Sequence, residues 1–338
     1  MGFKKNIKKY GLTVAYRSRL FRFLGNFSPK NFLTVLNYHR VDYADQHPEL
    51  DPSLISATPD VFEAQMRLLR DDFSPVSIAD VLDSLAGKRT LPRRAVLVTV
   101  DDGYRDYGDY IFPIATKYGV SPLLFLTTAY VDAGTFWWDK LYQAVNYAEE
   151  DMLECAYGNY DIATPAQRKA TLRSLRSKIK ATTSFSAAMQ NLDELYQKIP
   201  LEKQDELLHS ATLNWDELRT LTKQGADIAA HTHTHPLLTR IPFEDACKEI
   251  SHSRSLITQK LEQSLPVFAF TDGQPQFFSE NLITFLEKEN IKVGFTTIDR
   301  SAILSAKNAL AFPRVGVYQR LSLEAFAYRL TPLYKAFA

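Results

Sequence analysis

The stretch AVLVTVDDGY at residues 95–104 combines a strong strand signal with two adjacent carboxylates. Residues 95–100 are almost entirely apolar, which is typical of a parallel strand that is buried on both faces of its sheet. Asp101 and Asp102 follow where the strand ends, and Gly103 allows the backbone to turn sharply after them. Because ligands bind at the carboxyl ends of strands in parallel sheets and barrels, this stretch predicts an α/β fold with a functional rim at the two aspartates.

The remaining sequence supports the α/β assignment because short apolar runs alternate with helical patterns from residue 32 onward. Further predicted strands cover residues 32–38, 123–126, 228–230, 267–270, 293–297 and 311–315. Between residues 136 and 212 no run predicts a strand, and helical patterns cover 138–149, 165–181 and 184–198. We therefore predict an α/β body of residues 32–135 and 213–338, with a helical insertion at 136–212.

Length and composition restrict the possible protein classes. A chain of 338 residues with 45% hydrophobic content can bury a large core, as one enlarged domain or two. The 13 glycines and 16 prolines are ordinary numbers, which argues against disorder and collagen-like structure. The two cysteines, Cys155 and Cys247, do not suggest a disulfide-stapled secreted protein.

The N-terminal segment, residues 1–31, is basic and amphipathic. No acidic residue precedes Asp42, whereas nine basic residues do, so the rest of the chain has 31 basic and 39 acidic residues. Arginines interrupt its apolar runs, which argues against a signal peptide, and no run is long enough for a membrane-spanning helix. At helical spacing, one face carries a series of apolar residues, namely Phe3, Ile7, Tyr10, Val14, Phe21 and Leu24.

Two interpretations of this segment remain open. Residues 1–25 could lie on an anionic membrane surface, or they could form a solvated basic helix docked on the domain. No nucleic-acid partner is expected, because no nucleic-acid-binding motif accompanies the segment. From the missing signal peptide we expect a cytoplasmic protein, with peripheral contact to the inner face of the membrane.

The stretch AHTHTHP at residues 230–236 contains three of the seven histidines. His231 follows a predicted strand and therefore lies at the same rim as Asp101 and Asp102. On a helical turn, the four-residue spacing of His231 and His235 would place both imidazoles on one side. With Asp102 they form a set of two histidines and one carboxylate, which is typical of a catalytic metal site with an open position for water. Asp101 is then the candidate base.

Two alternatives remain for these motifs. Asp-Asp-Gly after a strand is often only a turn and a helix cap. The histidines could also act as a His231 and His233 pair in a binuclear site, although Thr234 stands where such a site usually has an aspartate. We prefer His231 and His235, with His233 behind the site or exposed.

These motifs resemble those of the polysaccharide deacetylase family of metal-dependent carbohydrate esterases. The family's Thr-Phe-Asp-Asp-Gly motif matches residues 99–103 and implies Asp101 as base and Asp102 as metal ligand. Its His-Ser/Thr-x-x-His motif matches 231–235 and implies two further ligands, His231 and His235. The resemblance covers about 32–135 and 213–320. It implies a distorted (β/α)7-type barrel and one divalent metal, Zn²⁺ first, with Co²⁺, Ni²⁺ or Mn²⁺ as alternatives.

Two family elements are missing. The Arg-Pro-Pro-Tyr-Gly element corresponds to residues 269–273, where the arginine that holds the base is absent, and Arg314 could replace it by folding back. No C-terminal Leu-x-His is present to supply the general acid. Residues 36–41, however, resemble an early Tyr-His element of biofilm poly-N-acetylglucosamine deacetylases, which implies His39 as the acid.

The predicted activity is removal of an acetyl group from an N-acetylated sugar of a bacterial-type glycan, or from its lipid-linked or nucleotide-linked precursor. The alternatives are an O-acetyl carbohydrate esterase with the same site and a non-catalytic carbohydrate-binding relic of the fold. The predicted substrate contacts are Tyr104, Asp272, Arg314 and Trp138.

Overall fold

A curled and mainly parallel sheet forms the centre of the molecule. The computed structural model describes residues 13–335, apart from residues 15, 17, 19, 133 and 208–210. Its longest strands are β1 (Phe32–Tyr38) and β5 (Ala95–Asp102), which pair in parallel at the middle of the sheet. The predicted α/β barrel-like fold is confirmed.

From β5 the sheet continues outward in the order β6 (Leu123–Leu126), β9 (Asp227–Ala230), β10 (Val267–Ala269) and β11 (Val293–Phe295). On the other side of β1 lie β12 (Ala302–Ile303), which is antiparallel, and β13 (Val315–Gly316), which is parallel. Besides β12, the sequence did not predict three further strands of the body, namely β2 (Arg40–Val41), β3 (Ile55–Ala57) and β4 (Ser74–Pro75). These three are only two or three residues long, too short to show a hydrophobic period.

The segment around Phe312 connects the last strand of the series back toward the first. Phe312 forms a parallel bridge with Phe295 of β11, and β13 then pairs with Leu36 and Asn37 of β1. The predicted strand at 311–315 is thus a single bridging residue followed by the two residues of β13. The sheet therefore curls into a barrel-like shape.

Helices cover the outside of the sheet. Their bounds are α1 (Leu20–Gly25), α2 (Pro59–Asp72), α3 (Ile78–Leu85), α4 (Phe112–Lys117), α9 (Trp215–Lys223), α10 (Phe243–Leu261), α11 (Glu280–Lys288) and α12 (Leu323–Arg329). Several begin at residues whose side chains satisfy the first backbone N–H groups. Ser77 and Asp80 form a capping box at α3, and Asn214 and Glu217 form another at α9.

Strand alternation separates the core into an inner and an outer layer. Residues such as Leu97, Phe125, Ala229 and Phe295 belong to the cluster inside the curled sheet. Their neighbours along the strands, such as Val98, belong to the cluster beneath the helices. Because side chains alternate along a strand, the inner series leads from Leu97 through Thr99 to Asp101, which points the base toward the barrel mouth.

The insertion contains helices and also a β-hairpin. Its helices are α5 (Trp137–Asn146), α6 (Pro165–Lys180), α7 (Phe185–Tyr196) and α8 (Leu201–Leu207). Strands β7 (Met152–Cys155) and β8 (Gly158–Asp161) pair antiparallel between α5 and α6, so the prediction of a strand-free insertion was wrong. Leu153 is the one buried residue of this hairpin, which left no apolar alternation to detect.

The described part of the N-terminal segment packs partly on the body. Phe21 is buried against the ring of Tyr328, whereas Val14, Phe23 and Phe27 are 67%, 57% and 67% exposed. Phe3, Ile7 and Tyr10 of the predicted apolar face lie outside the described residues. Among the described residues, no helix combines the length and apolar character needed to span a bilayer.

Candidate metal-dependent active site

The predicted site residues converge on one cleft at the carboxyl ends of the strands. This cleft has a volume of about 1350 Å³ and is lined by His39 after β1, Asp101 and Asp102 of β5, and His231 and His235 after β9. The barrel body forms one side and the insertion the other. A space of this size is large enough for a small-molecule or oligosaccharide ligand.

Asp102, His231 and His235 bring three potential ligand atoms together. The Asp102 Oδ1 atom lies 3.8 Å from His231 Nε2 and 3.6 Å from His235 Nε2. These separations are too long for hydrogen bonds. Within the described residues, this is the group of His, Cys, Asp and Glu side chains that could hold a metal ion, with ligand atoms all within 4.8 Å of one another.

Two features of these residues suit a divalent metal, namely the free lone pair on His231 Nε2 and the Asp102 oxygen without a hydrogen bond. His231 Nδ1 lies 2.8 Å from the carbonyl oxygen of Ala269 and must donate a proton to it, which leaves Nε2 with a free lone pair. Asp102 Oδ1 is buried and has no hydrogen-bond partner within the described part of the chain. A buried oxygen without a partner is costly unless a ligand completes the site. Two imidazole nitrogens and one carboxylate oxygen match a catalytic zinc site.

Burial controls the protonation of the ligand residues. It lowers the pKa of His231 and, more strongly, that of His235, which keeps both imidazoles neutral as metal ligands require. Burial and the adjacent charge of Asp101 raise the pKa of Asp102 well above its ordinary value. A cation at the site would oppose this increase, because an opposite charge favours the ionised carboxylate.

The two histidines reach the site from a loop and not from the predicted helical turn. Thr232 and His235 both have left-handed backbone conformations, with φ of 65° and 63°. Glu249 on α10 holds the loop by accepting hydrogen bonds from the backbone N–H groups of His233 and Thr234, at 2.8 and 2.7 Å. Sequence reasoning missed this role of Glu249, because 14 residues separate it from His235 and no motif includes it.

His233 points away from the ligand cluster. Its Nδ1 lies 2.9 Å from Thr128 Oγ1, and its ring packs edge-on against His252 at 4.5 Å. The structure therefore brings His231 together with His235, and not with His233 as the alternative requires. Placing His233 behind the site agrees with the geometry.

Arg314 holds Asp101 from below. Its guanidinium donates two hydrogen bonds, from Nη1 to Asp101 Oδ1 at 2.6 Å and from Nη2 to Oδ2 at 2.7 Å. Burial alone would raise the pKa of Asp101, but the charge and the two hydrogen bonds of Arg314 outweigh it and lower that pKa well below its ordinary value. Asp101 is therefore ionised and oriented, as a general base must be.

Arg314 was predicted to contact the substrate, but its side chain is buried beneath Asp101 and is not exposed to a ligand. The side chain is completely buried, and its remaining hydrogen bonds go to Thr99 Oγ1 and the carbonyl oxygen of Thr296. The other expectation, that Arg314 folds back to replace the missing family arginine, agrees with these contacts.

His39 lies at the same rim and lines the same cleft. Its backbone N–H donates to Ser56 Oγ at 3.0 Å, which fixes the end of β1. Burial lowers the pKa of the imidazole, while the negative charge of Asp101 works in the opposite direction. The position suits a proton donor, and its role as general acid stays a prediction.

Tyr104 and Trp138 have structural environments that differ from the predicted substrate contacts. Tyr104 is 1% exposed, and its hydroxyl donates to Asp139 and accepts from Trp138 Nε1 at 2.6 Å. Tyr104 is not among the residues that line the cleft, so the structure places it behind the site and does not bring it to the position of a substrate contact. Trp138 lies at the cleft wall, 94% buried, stacked on Phe136 and edge-on to the His235 ring at 4.8 Å. Because Trp138 also lines the cleft, its contact with the substrate stays a prediction.

Asp272 lines the cleft and is paired with the insertion. Both of its carboxylate oxygens accept hydrogen bonds from Lys180 Nζ at the end of α6, at 2.8 and 2.7 Å. Sequence reasoning missed Lys180, because nothing local relates a lysine of the insertion to an aspartate after β10. It also missed Asn37, which lines the cleft with a buried Oδ1 that has no partner among the described residues.

Comparison with a protein-family model identifies the same region of the chain. The model for polysaccharide deacetylase matches residues 88–294, which is more than half of the sequence. The poly-beta-1,6-N-acetyl-D-glucosamine N-deacetylase of Escherichia coli (strain K12) is 31% identical over 87 residues. That match covers 25% of this chain and 12% of the relative, so the chain spans only a small part of the relative's length.

Solved structures share the fold at low sequence identity. A deacetylase of Streptococcus pyogenes, PplD, in complex with acetate, has a TM-score of 0.59 and 17% identity, over 90% of this chain and 99% of that one. IcaB from Ammonifex degensii has a TM-score of 0.54 and 16% identity, over 89% and 97% of the two chains. At these identities the likeness supports the fold alone.

Proposed function

The chain belongs to the polysaccharide deacetylase family, and from that premise we propose that it removes an acetyl group from an N-acetylated sugar in a metal-dependent hydrolysis. One observation carries the proposal, namely the cluster of Asp102, His231 and His235 beside an Asp101 carboxylate that Arg314 holds. The named activity of the E. coli relative supports an N-acetyl rather than an O-acetyl substrate.

Asp102, His231 and His235 would hold the metal, with zinc as the first candidate. When bound, such an ion polarises a carbonyl group and lowers the pKa of a bound water from 15.7 to about 7. Asp101 accepts the proton of the attacking water, since its carboxylate is ionised and adjacent to the ligands. His39, at the same rim, gives a proton to the departing amine nitrogen.

The first experiment measures acetate release from N-acetylglucosamine oligomers and from an O-acetylated sugar, with zinc-loaded wild type beside Asp101→Asn. We expect acetate from the N-acetyl substrate, and a loss of kcat of at least about 10²-fold in the variant with unchanged zinc content. Acetate from the O-acetyl sugar alone would establish the esterase. Bound zinc with no acetate from either substrate would favour a binding relic of the fold.

His39→Gln tests the proton donor separately. We expect kcat to fall by about 10²- to 10⁴-fold, because the variant has no imidazole to give a proton to the departing amine. Zinc stoichiometry should be unchanged, because the variant keeps the proposed metal ligands. His252→Gln is the matched control, since His252 packs against His233 away from the ligand cluster. An unchanged kcat in His39→Gln would assign the donor to another group.

A further inference from the structure

The cleft is strongly basic although the body of the protein is acidic. Its lining includes seven lysine and arginine side chains against four aspartates. After Val41 the sequence has 31 basic and 39 acidic residues, so the excess of positive charge at the cleft is a local feature. Charges of one sign in a concave site focus the field there and attract ligands of the opposite sign.

Most of this positive charge comes from one face of helix α6 in the insertion. Five of its basic residues line the cleft, from Arg168 near its start to Lys180 at its end. Thr171, Leu175 and Ile179 lie on a different face, which Arg168 borders, and are buried in the insertion core. Core packing therefore fixes which side of α6 faces the cleft, and the side that it presents is cationic.

Several of the cleft cations already have partners. Arg314 pairs with Asp101, Lys180 pairs with Asp272, and Arg176 pairs with Asp51. Arg168 donates to the carbonyl oxygens of Val145 and Ala148 at the end of α5. The three ion pairs leave little charge available to a ligand, and the contacts of Arg168 hold its guanidinium against the end of α5.

Lys169, Arg173 and Arg320 are different. All three are exposed and line the cleft, and no carboxylate in the described part of the chain pairs with them. Lys169 and Arg173 are four residues apart on α6, so they are neighbours on one helix face. Arg320 extends the basic surface from the barrel body, near Tyr318, which also lines the cleft and is 57% exposed.

We propose that the substrate is an anionic N-acetylated glycan, whose phosphate or carboxylate group binds Lys169, Arg173 and Arg320. This proposal rests on the proposed deacetylase function and specifies its substrate class. With a rise of 1.5 Å per residue, Arg173 and Lys169 lie about 10 and 16 Å along α6 from Lys180, which reaches the catalytic end of the cleft. The anionic group therefore belongs to a diphosphate linked to the acetylated sugar, or to a neighbouring uronate.

The experiment compares kcat/KM for three substrates that differ in charge. A neutral N-acetylglucosamine oligomer is the reference. UDP-N-acetylglucosamine carries a diphosphate, and an oligosaccharide of alternating N-acetylglucosamine and glucuronate carries carboxylates. We expect at least one anionic substrate to exceed the neutral oligomer by about 10-fold or more at low salt, with the preference decreasing as salt increases. Which anionic substrate is preferred distinguishes phosphate from carboxylate.

The double variant Lys169→Gln/Arg173→Gln assigns the preference to α6. Its kcat/KM for the anionic substrate should fall toward the value for the neutral oligomer, mainly through a higher KM. Lys178→Gln is the matched control on the same helix, because Lys178 binds Tyr157 and Tyr160 of the hairpin and does not line the cleft. A neutral oligomer that is used as well as either anionic substrate would overturn the proposal. So would an anionic preference that the double variant retains.

Calorimetric titration with the two anionic substrates separates failure of this proposal from failure of the deacetylase function. Binding to wild type that is lost in the double variant, with no acetate released, would support the anion site and reject the hydrolysis. Neither binding nor turnover of an anionic substrate, with acetate released from the neutral oligomer, would reject the anion site and support the deacetylase.

Discussion

Asp101 and Arg314 are 213 positions apart in the sequence, yet they share two hydrogen bonds at the base of the cleft. A planar guanidinium can bind both oxygens of a carboxylate, whereas an ammonium group acts as a single point charge. Arg314 therefore fixes the direction of Asp101 as well as its ionisation. This role is one of positioning, because the side chain is buried beneath the base.

Arg314→Lys should keep the positive charge and lose the orientation of Asp101. We expect kcat to fall by about 10²-fold, since a displaced catalytic group loses its alignment with the reacting atoms. Zinc content should be unchanged, because the metal ligands are other residues. Acetate release and metal analysis measure the two effects. Arg254→Lys, in a partly exposed pair with Glu289, is the control. An unchanged kcat would show that Asp101 needs only a nearby charge.

Tyr104→Phe tests whether Tyr104 supports the site or contacts the substrate. The change leaves Asp139 Oδ2 and the Trp138 indole N–H without their buried partner, so the free energy of unfolding should fall by about 1–3 kcal/mol. KM should be unchanged. Urea unfolding and steady-state kinetics measure these quantities, with Tyr110→Phe, whose hydroxyl is exposed, as the control. A several-fold higher KM at unchanged stability would restore the substrate contact.

Residue identities at the site could be predicted, but several residue environments could not. Asp101, Asp102 and His231 each end or follow an apolar strand, which placed them at one rim from sequence alone. The His231 to His235 spacing suits a helical turn, yet the chain uses left-handed residues there, because Glu249 supplies hydrogen bonds from a distant helix. Tyr104 was predicted to line the cleft, because nothing in the sequence relates it to its buried partner Asp139, which belongs to the insertion.

At the scale of elements, helix α5 joins the insertion to the barrel through a buried carboxylate. Asp139 is completely buried, accepts a hydrogen bond from Tyr104, and accepts another from the backbone N–H of Asp51 at 2.9 Å. Burial raises the pKa of Asp139 to about 6. The contact between the two parts of the molecule therefore includes a group that titrates in mildly acidic solution.

Stability should depend on pH through Asp139. Its pKa is higher in the folded protein than the ordinary 3.8, so its contribution is fully present below about pH 4 and is lost as the pH rises through 6. Wild type should lose up to about 3 kcal/mol relative to Asp139→Asn between pH 4 and pH 7, since one pKa unit corresponds to 1.36 kcal/mol. Urea unfolding at four pH values measures the difference.

Asp83→Asn is the control for this series, because Asp83 is an exposed carboxylate paired with Lys88 at the surface. Its difference from wild type should be flat over the same pH range. A flat difference for Asp139→Asn would mean that Asp139 stays ionised throughout and that Tyr104 and the Asp51 N–H fully compensate for its burial.

The long elements could be predicted and the short ones could not. β5 and β6 have strong apolar patterns and match their predicted positions closely. The hairpin of β7 and β8 was missed because its strands have four residues each and expose most of them. The sequence placed Phe312 in one continuous strand at 311–315. Only the pairing of Phe312 with Phe295, and of β13 with β1, shows where that strand is interrupted.

At the scale of the whole molecule, an exposed apolar surface lies at the N-terminal segment. Phe23 and Phe27 are 57% and 67% exposed and pack edge-on at 5.1 Å, while Phe21 is buried against the body. We propose that this surface rests on the membrane on the cytoplasmic side, with the basic residues of 1–25 near anionic lipid. The burial of Phe21 against Tyr328 agrees with the docked-helix alternative for that residue, and membrane contact through Phe23 and Phe27 stays a proposal.

Phe23→Ser/Phe27→Ser should reduce binding to vesicles that contain anionic lipid. We expect about a 10-fold or greater loss of affinity in cosedimentation, because two exposed aromatic side chains would no longer be buried in the interface. Acetate release from a soluble substrate should be unchanged. Phe243→Ser, at a 47% exposed site on α10, is the control. Equal binding by wild type and the double variant would contradict the membrane proposal.

The late position of Arg314 also has a consequence for protein synthesis. The ribosome completes Asp102, His231 and His235 almost 80 residues before Arg314. Phe312 and β13 must then join β11 to β1 before Arg314 can reach Asp101. We therefore expect a translation product that stops shortly before Arg314 to contain every metal ligand and to lack an oriented base. Such a premature product would carry the three proposed metal ligands without the arginine that holds the base.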